Sequence, residues 1–105
     1  MQLGQETVPD VLHSWVEVGT DRVKISEIAY PLLKGILVHS PGSEYPGGGN
    51  DAVIWVGGPG VTADEEPTGG IPLIPGATLF LAVTSADKLW AVSTDADQLL
   101  SWIGQ

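Results

Sequence analysis

Ile71-Pro72-Leu73-Ile74-Pro75-Gly76-Ala77-Thr78-Leu79-Phe80-Leu81-Ala82-Val83 is the stretch on which the fold turns. Its second part, 78–83, is an apolar run of strand length, too short for a buried helix. Its first part is broken twice by proline. Each proline lacks a backbone donor, so 71–76 cannot lie in the middle of a sheet. Pro75-Gly76 suits the two central positions of a type II turn, where glycine takes the positive φ. A segment barred from a sheet centre, a tight turn and a strong strand point together to an all-β chain.

Working outward, Gly35-Ile36-Leu37-Val38-His39 is a continuous apolar run and reads as a central strand. Ala52-Val53-Ile54-Trp55-Val56, Leu89-Trp90-Ala91-Val92-Ser93 and Leu99-Leu100-Ser101-Trp102-Ile103 are further strands. Asp87-Lys88 and Thr94-Asp95-Ala96-Asp97 supply turns between the last three. Toward the N-terminus, Trp15-Val16-Glu17-Val18 and Arg22-Val23-Lys24-Ile25 flank Gly19-Thr20-Asp21, the pattern of a hairpin. Residues 26–33 are ambiguous, because Pro31 restrains Tyr30 away from helical geometry. Residues 40–51 form a long Gly- and Pro-rich loop, and Gly57-Gly58-Pro59-Gly60 ends the strand before it. Val61-Thr62 is placed as a short bridge ahead of the acidic loop Asp64-Glu65-Glu66-Pro67.

About seven short strands with a turn signal every 8–12 residues predict a β-sandwich or jelly-roll-like barrel with antiparallel pairing. No long helical period is present, which excludes a βαβ fold. The 105 residues suit a single domain. Residues 1–12 read as an extended arm and 13–105 as the sandwich.

Composition removes several functional classes. There are 4 Lys plus Arg against 13 Asp plus Glu, a net charge of −9. Four bases cannot neutralise a phosphate backbone or an anionic bilayer, so neither nucleic acid nor membrane is expected as a partner. Cysteine is absent, which excludes disulfides, thiolate metal sites and a cysteine nucleophile. Residues 1–12 lack a basic n-region and an apolar h-region, so no signal peptide is expected there. Residues 67–86 carry no charge, but Pro72, Pro75 and the glycines interrupt any membrane span.

No enzyme motif emerges. Gly57-Gly58-Pro59-Gly60-Val61-Thr62 has the glycines of a phosphate loop but no lysine, and Pro59 removes a donor. His13 and His39 each precede a serine, but neither has an acid at a catalytic or zinc-ligand spacing. Asp64-Glu65-Glu66 and Asp95-x-Asp97 could meet at one end of a sandwich. They lack a calcium-loop pattern and read as solvated turn residues. No catalytic residue, cofactor or metal is assigned.

The apolar residues are more informative. Leu79, Leu81 and Val83 share one strand face, which leaves Phe80 and Ala82 on the other. Likewise Leu99, Ser101 and Ile103 oppose Leu100 and Trp102. Both faces of these strands are apolar, whereas a monomeric sandwich shows polar residues outside. A second face is therefore expected to be covered by another subunit. The interface residues expected are Leu3, Val8, Val11 and Leu12 of the arm, Tyr45 of the long loop, and Trp55 and Trp102. Four tryptophans inside strands also fit a sugar platform, since an indole face covers a pyranose.

Lys34-Gly35-Ile36-Leu37-Val38, Val53-Ile54-Trp55-Val56-Gly57 and Gly60-Val61-Thr62-Ala63 occur in that order. They are followed by Gly70-Ile71-Pro72-Leu73, Ile74-Pro75-Gly76, Leu79-Phe80-Leu81 and Asp87-Lys88-Leu89-Trp90-Ala91-Val92-Ser93. This succession, spanning roughly 34–103, resembles small virion structural proteins of tailed bacteriophages. The resemblance implies a compact β-sandwich or jelly-roll on the capsid surface, made in the host cytoplasm. It implies a capsid decoration or cement protein or, alternatively, a receptor- or carbohydrate-binding knob or fibre module. The partners would be the major capsid protein or other virion proteins. The chain would be a homo-oligomer, with a trimer favoured by the threefold positions of capsids. The resemblance brings no catalytic residues and no cofactor.

Overall fold

The computed structural model describes residues 12–64 and 69–105. Eight strands follow in order: β1 (Leu12–Val18), β2 (Val23–Lys24), β3 (Ile36–His39), β4 (Ile54–Gly57), β5 (Ile71–Leu73), β6 (Thr78–Leu81), β7 (Trp90–Ser93) and β8 (Gln98–Gly104). A single 3-10 turn, Ala86–Lys88, interrupts them among the described residues. The strands form two antiparallel four-stranded sheets, ordered β1-β8-β3-β6 (sheet I) and β2-β7-β4-β5 (sheet II). They make an open sandwich and not a closed barrel.

The core lies between the sheets and follows strand alternation. β3 contributes Ile36 and Val38, β8 contributes Leu100 and Trp102, and β4 contributes Ile54 and Val56. Val18, Leu73 and Ala91 complete the centre from the neighbouring strands. Each fully buried Ile, Leu or Val adds about 1.5–3 kcal/mol relative to exposure. Alternation is what turns the sequence into a layer: residues at i and i+2 point the same way, so one apolar row per strand meets the row opposite.

The deciding stretch folds as its chemistry requires. Pro72 lies on β5, an edge strand, where a missing donor is tolerated. Ile74 to Ala77 form the turn: the Ala77 amide donates to the Ile74 carbonyl at 2.9 Å, and Gly76 has φ +95°. The following strand, β6, pairs with β3, and β3 is indeed interior to its sheet.

Two expectations need correction. The hairpin between 15–18 and 22–25 does not form. β1 pairs along all seven residues with β8, while β2 pairs with β7 in the other sheet. Gly19-Thr20-Asp21 is a crossing between sheets, pinned where the Ser93 amide donates to the Gly19 carbonyl at 2.8 Å. The long register offered by β8 outweighs what a two-residue β2 could supply. Val61-Thr62 is no strand: it belongs to a loop that leaves β4. The eight strands agree with the expectation of about seven, the added one being the proline-containing β5 at a sheet edge.

Two backbone positions are conformationally demanding. Gly35 has φ +139°, and a Cβ there would run into the Leu81 carbonyl and the Phe80 ring. Asp97 takes φ +64° in the turn before β8, a conformation aspartate tolerates better than most residues.

Candidate functional site

The outward positions of sheet I form the candidate site. Cross-strand register arranges them in rows. One row runs His13, Ile103, Leu37, Phe80 across β1, β8, β3 and β6. The next runs Trp15, Ser101, His39, Thr78, and Glu17 lies beside Leu99. Trp15 is 63 % exposed and Phe80 53 %, with Leu37 and Ile103 also exposed. Glu17 is the one carboxylate, and there is no Lys or Arg, on these four strands. A single apolar residue on a surface is ordinary, but a contiguous set this poor in charge marks an interaction face.

Two shallow depressions flank the face. One, of about 410 Å³, is lined by His13, Trp15, Tyr45, Leu99 and Ser101 among others. The other, of about 240 Å³, is lined by Leu37, Phe80 and Ile103 together with Lys34 and Gln105. On the outer face, His39 Nδ1 and Thr78 Oγ1 lie 2.9 Å apart in a hydrogen bond. Tyr45 reaches the face from the long loop, where its amide donates to the Gly42 carbonyl at 3.0 Å.

That loop is held by two amide side chains. Asn50 behaves like an extra strand residue beside β8. Its Nδ2 donates to the Leu99 carbonyl at 2.7 Å, and its Oδ1 accepts from the Leu99 amide at 2.7 Å. Asn50 Nδ2 also donates to Ser40 Oγ at 2.8 Å. The buried Gln98 accepts at Oε1 from the amides of Asp51 and Ala52, and its Nε2 donates to Asp51 Oδ1 and the Ala96 carbonyl. Every polar atom of the two amide groups is paired, which is the condition for a buried polar network to be stabilising. In the sequence, Asn50 at the end of a glycine run reads as a turn former and nothing more; the clamp needs β8 as its other half.

The outer face of sheet II has a different cover. Trp55, Val92 and Trp90 point away from the main core, and Val61 and Ala63 from the loop after β4 pack on them. Arg22 Nη1 donates to the Pro59 carbonyl at 3.2 Å and helps to hold that loop down. Lys24 Nζ stands 5.7 Å from the Trp90 ring centroid, a cation–π distance.

The expected interface residues are therefore distributed as follows. Tyr45 and the exposed part of β1 lie at the bare face. Leu12 is half-buried at the start of β1. Trp55 is only 6 % exposed beneath its own loop, and Trp102 only 4 % exposed in the sandwich core. Neither tryptophan is a free surface of the protomer, because alternation and the loop after β4 place both inside it. Leu3, Val8 and Val11 lie outside the described residues. Trp15, Phe80 and Leu37, not named as interface residues from the sequence, carry the exposed area. Phe80 was legible from the two-sided apolar pattern of 78–83.

Among the described residues, neither buried indole Nε1–H has a hydrogen-bond partner. Trp102 stacks at a tilt on Tyr30, with ring centroids 6.4 Å apart. Among the described residues, no group of three or more His, Asp or Glu side chains is placed to hold a metal ion. Asp64 lies apart from Asp95 and Asp97 in sequence, and Glu65 and Glu66 fall outside the described residues. Asp87 has its carboxyl held below the usual aspartate value, chiefly by the Ser85 hydroxyl, which donates to Oδ1 at 2.6 Å. No helix among the described residues is long and apolar enough to cross a membrane.

No family model, characterised protein or solved structure matches the chain. The class that fold and face define is an all-β sandwich with one apolar sheet face that no described residue covers.

Proposed function

We propose that this chain is a virion structural protein of a tailed bacteriophage, a capsid decoration or cement module acting as a homo-oligomer on the head. The observation that carries the reading is the outer face of sheet I, where Trp15, Leu37, Phe80 and Ile103 are exposed with a single carboxylate beside them. Such a face is stabilised by contact, and many copies of a modest contact make a strong coat. The quoted fragments that resemble phage virion proteins, from Lys34 to Ser93, fall on β3 to β7 and their connections, which include the strands bearing Leu37 and Phe80.

The test has two arms. Native mass measurement at micromolar concentration is expected to give an oligomer. Mass spectrometry of purified particles that encode the chain is expected to find it in many copies, with a particle map placing it on the head. A monomer absent from particles overturns the proposal.

A receptor- or carbohydrate-binding knob is the second reading. It is favoured by Trp15 and Tyr45 lining one depression with His13 and Ser101, an aromatic surface with polar groups beside it. A glycan array read with wild type and Trp15→Ala separates the two. Binding lost in the variant supports the knob, and an empty array removes it.

A further inference from the structure

The four sheet edges are unequal. Sheet II ends in β2, two residues long, and β5, three residues long with Pro72 in it. Sheet I ends in β6, four residues long, and β1, seven residues long. β1 has no proline and no lysine, the usual devices that blunt an edge. Among the described residues, β8 is its one strand partner. A groove of about 390 Å³ runs between β1 and residues 23–30, and among the described residues no backbone group outside β8 bonds to β1.

We infer that β1 is the docking strand for a second copy of this chain, pairing antiparallel with its counterpart across a two-fold axis at Trp15. The inference rests on the adhesive reading above and adds the surface and the symmetry. Its occupant is chosen by the sequence of β1 itself. In a two-fold antiparallel pair centred on residue 15, Leu12 faces Val18, His13 faces Glu17, Ser14 faces Val16 and Trp15 faces Trp15. All seven residues pair. Centring on Ser14 or Val16 instead pairs only five and sets Trp15 against His13 or Glu17. A slip that pairs odd with even positions would turn one outer face inward.

The central register is also chemically complementary. His13, Trp15 and Glu17 all lie on the outer, exposed side of β1. Within the protomer, His13 is opposite Ile103 and Glu17 is opposite Leu99, so neither meets a charge or a hydrogen-bond partner across β8. Across the axis each His13 meets the partner's Glu17, twice by symmetry. An imidazole N–H can donate to a carboxylate oxygen, and hydrogen-bonded polar pairs directly across strands are favourable. The self-complementary patch is the signature of an isologous interface. The result is one continuous sheet of eight strands, twice the four of sheet I, with two Trp15 rings side by side at its centre. Such a contact closes at two copies and cannot generate a trimer.

The experiment is a charge-exchange cycle on the full chain, read by sedimentation equilibrium. His13→Glu places a carboxylate opposite Glu17, and Glu17→Lys removes the acceptor opposite His13. Each single variant is expected to weaken dimerisation by about tenfold, since two symmetric cross-strand pairs change together. The double variant His13→Glu/Glu17→Lys is expected to recover the wild-type constant. Inside one protomer these positions are four residues apart on a strand and cannot compensate each other, so recovery is specific to the two-fold pair. Hydrogen exchange supplies a second readout: alternate β1 amides gain protection as concentration rises. If wild type self-associates but the variants leave its mass and affinity unchanged, or if it is a trimer, the β1 contact is wrong and the adhesive reading stands. A double variant as weak as the singles also overturns this register. A wild type that stays monomeric overturns the β1 contact, and overturns the adhesive reading as well if the chain is also absent from particles.

Discussion

The outer faces of the two sheets start from similar sequences and end differently. Sheet II turns Trp55 and Val92 outward, and sheet I turns Trp15, Leu37 and Phe80 outward. Over sheet II the loop after β4 folds back, seats Val61 between the two and is held by Arg22. Over sheet I no described segment does the same, and Trp15 and Phe80 remain more than half exposed. An apolar outer face is thus no sufficient sign of a partner; it signals a cover, which the chain itself can supply.

The contrast can be broken most forcibly on the covered side. Trp55→Ala is expected to destabilise the fold by about 3–5 kcal/mol, the range for emptying a large aromatic site. Urea unfolding measures it, and hydrogen exchange should show residues 58–64 opening as well. A loss below about 1 kcal/mol would mean that the loop is not a true cover. Next is the clamp that brings Tyr45 to the bare face. Asn50→Ala removes two bonds to the Leu99 backbone and one to Ser40, and is expected to cost about 2–3 kcal/mol. Gln98→Ala should cost a similar amount, and the pair should be non-additive because both hold one loop.

On the bare face the expected outcome reverses. Trp15→Ala and Phe80→Ser should each change monomer stability by no more than about 0.5 kcal/mol, as exposed positions do. Both variants should weaken binding to particles, and Trp15→Ala should also weaken self-association through β1. A large stability loss with unchanged association would make sheet I an ordinary monomer surface.

The smallest effect concerns acid. Asp87 titrates below its unfolded value, so its contribution is fully present above the unfolded pKa and is lost as pH falls through the folded one. Asp87→Asn should therefore leave neutral stability nearly unchanged and flatten the acid limb slightly, as followed by unfolding midpoints between pH 5 and pH 2.

What could be read from the sequence follows from the range of the forces involved. The apolar runs at 36–38, 54–56, 79–81 and 90–92 needed only local alternation, and the turn at Pro75-Gly76 needed only two residues with fixed dihedral preferences. The partner of β1 needed the far end of the chain. Gly19-Thr20-Asp21 has the same local chemistry whether the chain doubles back or crosses to the other sheet, and β8 decides it. Trp55 and Trp102 were legible as apolar strand residues. Which of them faces the core, and which lies under a loop, depends on where 58–64 settles. Asn50 and Gln98 are 48 positions apart, and no spacing rule joins them.

The four tryptophans occupy three kinds of surroundings: one largely exposed to water, one half-shielded beside a lysine, and two buried, with indole N–H groups that no described residue pairs. Indole emission shifts to the blue as water is excluded, so the chain carries its own optical labels. Trp55 and Trp102 report unfolding by a red shift, whereas Trp15 reports whatever comes to cover it by a blue one. Opposite signs from one fluorophore type let folding and assembly be followed together, in a single cuvette and without an added dye.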